Sequence, residues 1–218
     1  MTKLSIKICG ITCRRNLKSF IDLPFNFIGL NFVERSKRRI KKDKAKKIIQ
    51  SLPKRIIPVL IFEDENTETV LRLLKELNVN YIQLHGKESV KYCADLKMKN
   101  KRIKIIKVFP STIDTLKELA GYKKYVDYYL IDSSDSNGKM GGTGKKANWD
   151  MAKKIVQQSH KLKKKVFLAG GLNPENIKEA IKKVNPDFLD LNSGVENNPG
   201  KKDKNKILSL VATLYKHC

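Results

Sequence analysis

The feature that most constrains this chain is a count of eight short apolar blocks separated by amphipathic stretches. The blocks fall at 5–9, 27–32, 56–62, 80–85, 104–109, 127–132, 165–169 and 187–191. Their β-branched and aromatic residues run nearly unbroken, as in strands covered on both faces of a parallel sheet. Between the blocks, apolar residues recur at helical spacing. Ala45, Ile48, Ile49 and Leu52 do so over 43–52, and Val70, Leu71, Leu73, Leu74 and Leu77 over 67–77. Asn173-Pro174 reads as an N-cap followed by proline at the first position of a helix over 174–184. A last amphipathic stretch, 203–215, carries Ile207, Leu208, Leu210, Val211 and Leu214.

Eight strand–helix units in 218 residues leave about 27 residues each, close to the least a βαβ repeat can use. An open doubly wound sheet usually has fewer strands. The count therefore predicts an α/β fold, a single-domain (β/α)8 TIM barrel over 1–218, compact and with few insertions. No linker or low-complexity tract divides the chain, and no apolar run approaches the ~18 residues of a membrane span. The first residues enter the strand pattern without a signal-peptide apolar region. The four cysteines, Cys9, Cys13, Cys93 and Cys218, are too few and scattered for a disulfide framework. A cytoplasmic protein with free thiols and no membrane partner is expected. Cys9 and Cys13 lack a second Cys/His pair at finger spacing, so no metal site is expected.

Charge asks a separate question. Forty-six Lys and Arg against 22 Asp and Glu give a net +24, which can be the footprint of a nucleic-acid binder. Here the excess is mostly lysine, spread from Lys3 to Lys216 on presumed solvent faces of helices. Specific nucleic-acid recognition concentrates Arg and aromatic residues on one element, so no nucleic-acid partner is expected.

In such a barrel the active site lies at the C-terminal ends of the strands. Polar and glycine residues gather there: Cys9-Gly10, Asn31, Gln83-Leu84-His85-Gly86 and Asp132. Gly170-Gly171 and Asn192-Ser193-Gly194 supply bare backbone N–H groups after strands seven and eight, where this fold holds phosphate. Either could be a plain turn, but the pair points to a phosphorylated small-molecule substrate. A third segment, Gly141-Gly142-Thr143-Gly144-Lys145, ends the long loop after strand six and lacks Walker A spacing. Alternation puts Lys7 and Cys9 on one face of strand one and Ile6 and Ile8 on the other, so Lys7 and Cys9 should point into the barrel. A buried lysine needs a carboxylate, and Asp190 or Asp132 could serve. The nearby cation would favour a Cys9 thiolate. A thiol and a carboxylate facing each other across a pocket suit proton transfer between carbon and oxygen.

Six segments in register carry a resemblance. They are Lys7-Ile8-Cys9-Gly10-Ile11-Thr12, Phe32-x3-Ser36-x-Arg38, Gln83-Leu84-His85-Gly86, the Gly141–Lys145 loop, Gly170-Gly171-Leu172-Asn173-Pro174-Glu175-Asn176, and Ser193-Gly194-Val195-Glu196 with Pro199-Gly200-Lys201-Lys202-Asp203. Together they resemble the phosphoribosylanthranilate isomerases, (β/α)8-barrel enzymes of tryptophan biosynthesis, over essentially the whole chain. The resemblance implies an Amadori rearrangement of N-(5-phosphoribosyl)anthranilate without metal or organic cofactor. It assigns the general base to Cys9, the general acid to Asp132, and the pairing with the anthranilate carboxylate to Arg38. The substrate-binding candidates are Arg38, Gln83, Gly142, Thr143, Gly144, Gly170, Gly171, Asp190, Asn192, Ser193 and Gly194, in a monomer or homodimer. Arg35, Lys37 and Arg39 read as solvated charge.

The chain departs from the family pattern at several points. Glu34 stands where the family usually has proline, Ala147-Asn148-Trp149 replaces Phe-Asp-Trp, Asn192 replaces the first serine of Ser-Ser-Gly, and Cys13-Arg14-Arg15-Asn16 lacks the usual acidic helix start. A ribulose-phosphate epimerase or an indole-glycerol-phosphate synthase would want a metal-ligand His pair or a catalytic Lys and Glu at strand ends, and neither is found.

Overall fold

The computed structural model describes residues 4–133 and 148–215. Eight strands alternate with eight helices. The first half runs β1 (Ser5–Ile8), α1 (Arg14–Lys18), β2 (Phe27–Asn31), α2 (Lys42–Ile49), β3 (Ile57–Phe62), α3 (Thr67–Leu77), β4 (Tyr81–Leu84) and α4 (Val90–Lys99). The second half runs β5 (Lys104–Pro110), α5 (Ile113–Tyr122), β6 (Tyr128–Asp132), α6 (Trp149–Lys161), β7 (Lys165–Ala169), α7 (Ile177–Val184) and β8 (Phe188–Leu191), with α8 (Lys204–Tyr215) last. The strands pair in parallel in chain order, and β1 pairs with β8 to close the barrel. Each strand falls within one residue of its apolar block at either end. Among the described residues no helix is long and apolar enough to cross a membrane.

Two local expectations need correction. Helix α7 starts at Ile177, not 174. The Asn173 side chain accepts from the backbone N–H groups of Glu175 (3.1 Å) and Asn176 (2.9 Å), which folds Pro174 into a turn ahead of the helix. The chain after β8 also carries an extra piece. A short 3₁₀ turn, Ser193–Val195, leads into an antiparallel hairpin of β9 (Glu196–Asn198) and β10 (Lys201–Lys202). Polar strands of two or three residues leave no periodic signal in the sequence.

Alternation along the strands sorts the residues into two layers. Outward residues such as Ile8, Leu30, Leu60, Ile82, Ile131, Leu168 and Leu191 join the main core against the helices. Inward residues follow the four-per-layer rule, in which alternate strands fill successive layers. The first residues of the even strands, Phe27, Tyr81, Tyr128 and Phe188, form an aromatic floor. Phe27 and Tyr128 meet Phe188 edge-on at 6.0 and 5.7 Å. Phe167 from the odd-strand layer above stacks on Phe188 at 4.4 Å. Polarity rises layer by layer toward the C-terminal end, through Lys7, then Gln83 and Asp190, then Cys9. At the mouth stand Asn31, His85, Asp132 and Asn192.

Lys107 breaks the outer pattern, facing the helix layer with 3% exposure. It donates to Glu88 (3.0 Å) and to the Gly86 carbonyl (2.7 Å). Glu88 in turn accepts from the backbone N–H groups of Gly86 and Asp64. A buried charge is tolerated when it is paired and hydrogen-bonded, and here the pair ties the loops after β3 and β4 to the barrel wall.

Candidate active site

A cavity of about 610 Å³ opens at the C-terminal mouth. Cys9, Asp132, Arg38, Gln83, Gly170, Gly171, Asp190, Asn192, Ser193 and Gly194 all border it. Gly142, Thr143 and Gly144 lie outside the described residues. Cys9 directly follows β1 and Asp132 ends β6, so the thiol and the carboxyl rise from well-separated strands of the ring. Cys9 is buried, while Asp132 is half-buried.

The floor of the cavity is a hydrogen-bonded chain. Lys7, fully buried, donates to both oxygens of Asp190 (2.9 Å each) and to Gln83 Oε1 (2.7 Å). Of the two carboxylates open to Lys7 in the sequence, Asp190 is therefore its partner. Burial alone would push the Lys7 ammonium down, but Asp190 and the Cys9 thiol outweigh it and hold it above its usual value. Lysine only donates, so it fixes the Gln83 amide with Oε1 inward. Gln83 Nε2 then donates to His85 Nδ1 (3.0 Å), which places the neutral imidazole's proton on Nε2. Burial keeps His85 below its usual pKa, although nearby Asp132 works the other way. Gln83 and Asp190 thus border the cavity with polar atoms committed to Lys7.

As expected, the Lys7 cation pulls the Cys9 thiol toward its thiolate, but the net pKa is not lowered. Burial pushes it up, and the opposing pull of Lys7, Lys202 and Arg38 does not make up the difference. Desolvating a thiolate costs more here than the surrounding cations return.

Arg38 sits on the loop after β2, its backbone N–H donating to Ser36 Oγ at 3.1 Å. Its guanidinium lies against Glu196 of β9, with Nε 2.9 Å and Nη2 2.5 Å from the carboxylate. Arg35 and Lys37 of the same loop also border the cavity, whereas Arg39 does not. Arg35, 75% exposed, pairs with Glu63, and Arg39 pairs with Glu34 at 2.5 Å on the surface. The departure at Glu34 is absorbed in that exposed pair.

The loops after β7 and β8 touch through backbone. Gly170 and Gly171 turn the chain at φ of +97° and +67°, a region that favours glycine. At Gly194 a Cβ would lie 2.0 Å from the Leu172 carbonyl oxygen. Only a bare backbone fits, and Ser193 and Gly194 border the cavity together with Gly170 and Gly171 of the β7 loop.

A scan against family models matches residues 6–213 to the N-(5'-phosphoribosyl)anthranilate (PRA) isomerase family. The chain belongs to this family. Among curated relatives named N-(5'-phosphoribosyl)anthranilate isomerase, one from Oceanobacillus iheyensis is 39% identical, covering 97% of each chain. Another, from Crocosphaera subtropica, is 35% identical over 98% of this chain and 99% of the relative. Among solved structures, the phosphoribosyl anthranilate isomerase of Thermotoga maritima superposes with a TM-score of 0.85 at 30% identity, covering 98% and 99% of the two chains. A second phosphoribosyl anthranilate isomerase, solved in complex with reduced 1-(o-carboxyphenylamino)-1-deoxyribulose 5-phosphate, matches with a TM-score of 0.81 at 28% identity over the same shares.

Several features of this family member escaped the sequence reading. Glu196 and Lys202 stood in a quoted motif, but nothing in their spacing said that Glu196 holds Arg38 and that Lys202 in turn pairs with Glu196. The buried Lys202 ammonium lies 2.6 Å from Glu196 and 3.0 Å from Asn192 Oδ1. The side chain at the replaced position, Asn192, therefore serves Lys202 as an acceptor. His85 was seen only as part of a motif, and its tautomer depends on a lysine 78 positions earlier in the sequence.

Proposed function

We propose that this chain isomerises N-(5-phosphoribosyl)anthranilate to 1-(2-carboxyphenylamino)-1-deoxyribulose 5-phosphate, the isomerase step of tryptophan biosynthesis. The observation that carries the reading is one cavity bordered by a buried thiol, a carboxyl from a distant strand, an arginine and two glycine-bearing loops. The four groups match the four parts of the substrate. The loops at Gly170-Gly171 and Ser193-Gly194 suit the phosphate, and the family resemblance adds Gly142, Thr143 and Gly144 to the substrate-binding residues. Arg38 suits the anthranilate carboxylate through its planar fork.

Asp132, as the protonated acid, donates its proton to the furanose ring oxygen. The C1′–O bond breaks and the aniline nitrogen lone pair forms the C1′=N bond of a Schiff base. Cys9, as thiolate, takes the C2′ proton, and the electrons move to the nitrogen, giving an enolamine. Tautomerisation to the ketone returns the proton inventory to its start. Each positioned proton transfer contributes on the order of 10²–10⁴ in rate. Lys7 supplies a positive charge beneath Cys9, opposing the burial that disfavours the thiolate. Gln83 and Asp190 hold Lys7 in that place.

The setting is a cytoplasmic enzyme, monomer or homodimer, with no nucleic-acid partner. One solved relative is described as monomers generated from a dimeric Thermotoga maritima isomerase, so the oligomeric state is checked by light scattering. Function is tested by rescue of a tryptophan auxotroph lacking this step, together with loss of phosphoribosylanthranilate fluorescence on incubation with purified protein. Growth and consumption that both disappear in Cys9→Ala support the proposal. Absence of consumption by the unaltered chain would overturn it.

A further inference from the structure

The side chain proposed to hold the anthranilate carboxylate has a carboxylate of its own already. Glu196 covers Nε and Nη2 of Arg38 from one edge. An arginine neutralised in this way is a poor receptor for a second anion, since the incoming carboxylate meets Glu196 beside it. A third charge changes the balance. Lys202, fully buried, lies 2.6 Å from Glu196 Oε1 and donates also to the carbonyl oxygen (3.2 Å) and side-chain oxygen (3.0 Å) of Asn192. The backbone N–H of Gly200 is a further donor to Glu196, at 3.0 Å. Asn16 braces the backbone of Lys202 from both sides, donating to its carbonyl and accepting from its N–H.

We propose that Lys202 is a charge-setting positioning residue: by neutralising Glu196 it leaves Arg38 with a net positive charge, and so sets the enzyme's preference for an N-aryl ribosyl phosphate bearing an ortho carboxylate. Resting on the reading of the site given above, this assigns a source of substrate selectivity to a residue that does not reach the cavity. Of these four side chains, Arg38 and Lys202 are cationic, Glu196 is anionic and Asn192 is neutral, so the four together carry one positive charge, and Cys9 nearby is the same in every variant compared. Glu196 accepts from the guanidinium, and Lys202 cancels the electrostatic cost of having a carboxylate there. The arrangement also joins the two ends of the substrate, because Asn192 begins the loop assigned to phosphate.

The account orders four proteins by net charge: Glu196→Gln (+2), the unaltered enzyme (+1), the double variant Lys202→Met/Glu196→Gln (+1), and Lys202→Met (0). Steady-state KM is measured for phosphoribosylanthranilate and for phosphoribosylaniline, which lacks the carboxylate. Lys202→Met is expected to raise KM for the carboxylate substrate roughly tenfold, the effect of one unit charge a side-chain length away in a partly wet site. The change should fall in KM rather than in kcat, and the aniline analogue should not register it. The double variant should return to the unaltered KM although it has lost more hydrogen bonds than Lys202→Met. If Lys202 acted only through packing or hydrogen bonding, the double variant would be the worst of the four, and that result overturns the proposal. Equal effects on both substrates overturn it as well. Should Lys202→Met fail to fold, the comparison of Glu196→Gln with the double variant, one charge apart, reads the same effect. Failure of the unaltered enzyme to consume phosphoribosylanthranilate would instead remove the functional reading itself, before any variant is compared.

Discussion

Replacing Lys7 by methionine removes one charge from a pair that is almost wholly buried. Lys7 is 0% and Asp190 6% exposed, with the ammonium 2.9 Å from both carboxylate oxygens. At that separation the gross attraction is about 6 kcal/mol with an effective dielectric of about 20. Desolvation of two buried ions offsets most of it, so the intact pair contributes little net stability. Removing one member alone is different, because Asp190 stays buried with nothing to neutralise it, at a cost of about 3–5 kcal/mol. Urea denaturation of Lys7→Met, followed by tryptophan fluorescence and far-UV circular dichroism, should show that loss. Lys7→Met/Asp190→Leu, which removes both charges, should recover most of it. A single-variant loss below about 1 kcal/mol, the size for an exposed pair, would refute the reasoning. So would a double variant less stable than the single one. The same substitution has a kinetic counterpart. Lys7 opposes the burial that raises the Cys9 pKa above 9.0, so its loss raises that pKa further. If Lys7→Met folds, the alkaline limb of kcat/KM moves to higher pH and the plateau falls.

The remaining expectations concern the cradle and acid stability. Gly194→Ala places a Cβ 2.0 Å from a backbone carbonyl, which cannot swing aside, so KM should rise about tenfold or more through loss of a charge-assisted phosphate contact. Gly171→Ala meets open space at φ +67° and should cost only about 1–2 kcal/mol of stability, from the left-handed backbone. For acid stability, burial works to raise both Glu196 and Asp127. Hydrogen bonds and charges from Arg38 and Lys202, and from Lys97 and Lys104 with the Ile105 N–H, leave them below 4.5 and 3.8. Folded pKa values below the unfolded ones mean stability that is present above those values and lost as pH falls through the depressed ones. Urea midpoints measured from pH 6 downward should fall below about pH 5, and Asp127→Asn should flatten that fall. A midpoint independent of pH there would contradict the assignment.

What the sequence made legible follows from how local each signal is. The strands were readable to a residue because a doubly covered strand must be apolar throughout, as Ile131 and Leu168 are. Lys7 and Cys9 could be aimed inward because alternation is a property of one strand alone. Asn173 was misread because an asparagine that caps a turn and one that caps a helix look alike until the following backbone is placed. Glu196 and Lys202 could not be joined to Arg38, 158 and 164 positions away in the sequence, because that contact exists only after β2 and the β9–β10 hairpin close over the same mouth. The net shift of Cys9 could not be read from the sequence for a related reason. The cation was visible from the strand, whereas the burial opposing it comes from the whole barrel.

The central claim is that Cys9 and Asp132 divide the proton transfers of one isomerisation between them. Its most direct test is the turnover of phosphoribosylanthranilate by Cys9→Ala and by Asp132→Asn, each checked for fold by circular dichroism and for binding of a reduced product analogue. The account expects kcat to fall by about 10²–10⁴ in each while the analogue still binds. A variant of either residue that keeps the full kcat of the unaltered enzyme would contradict it.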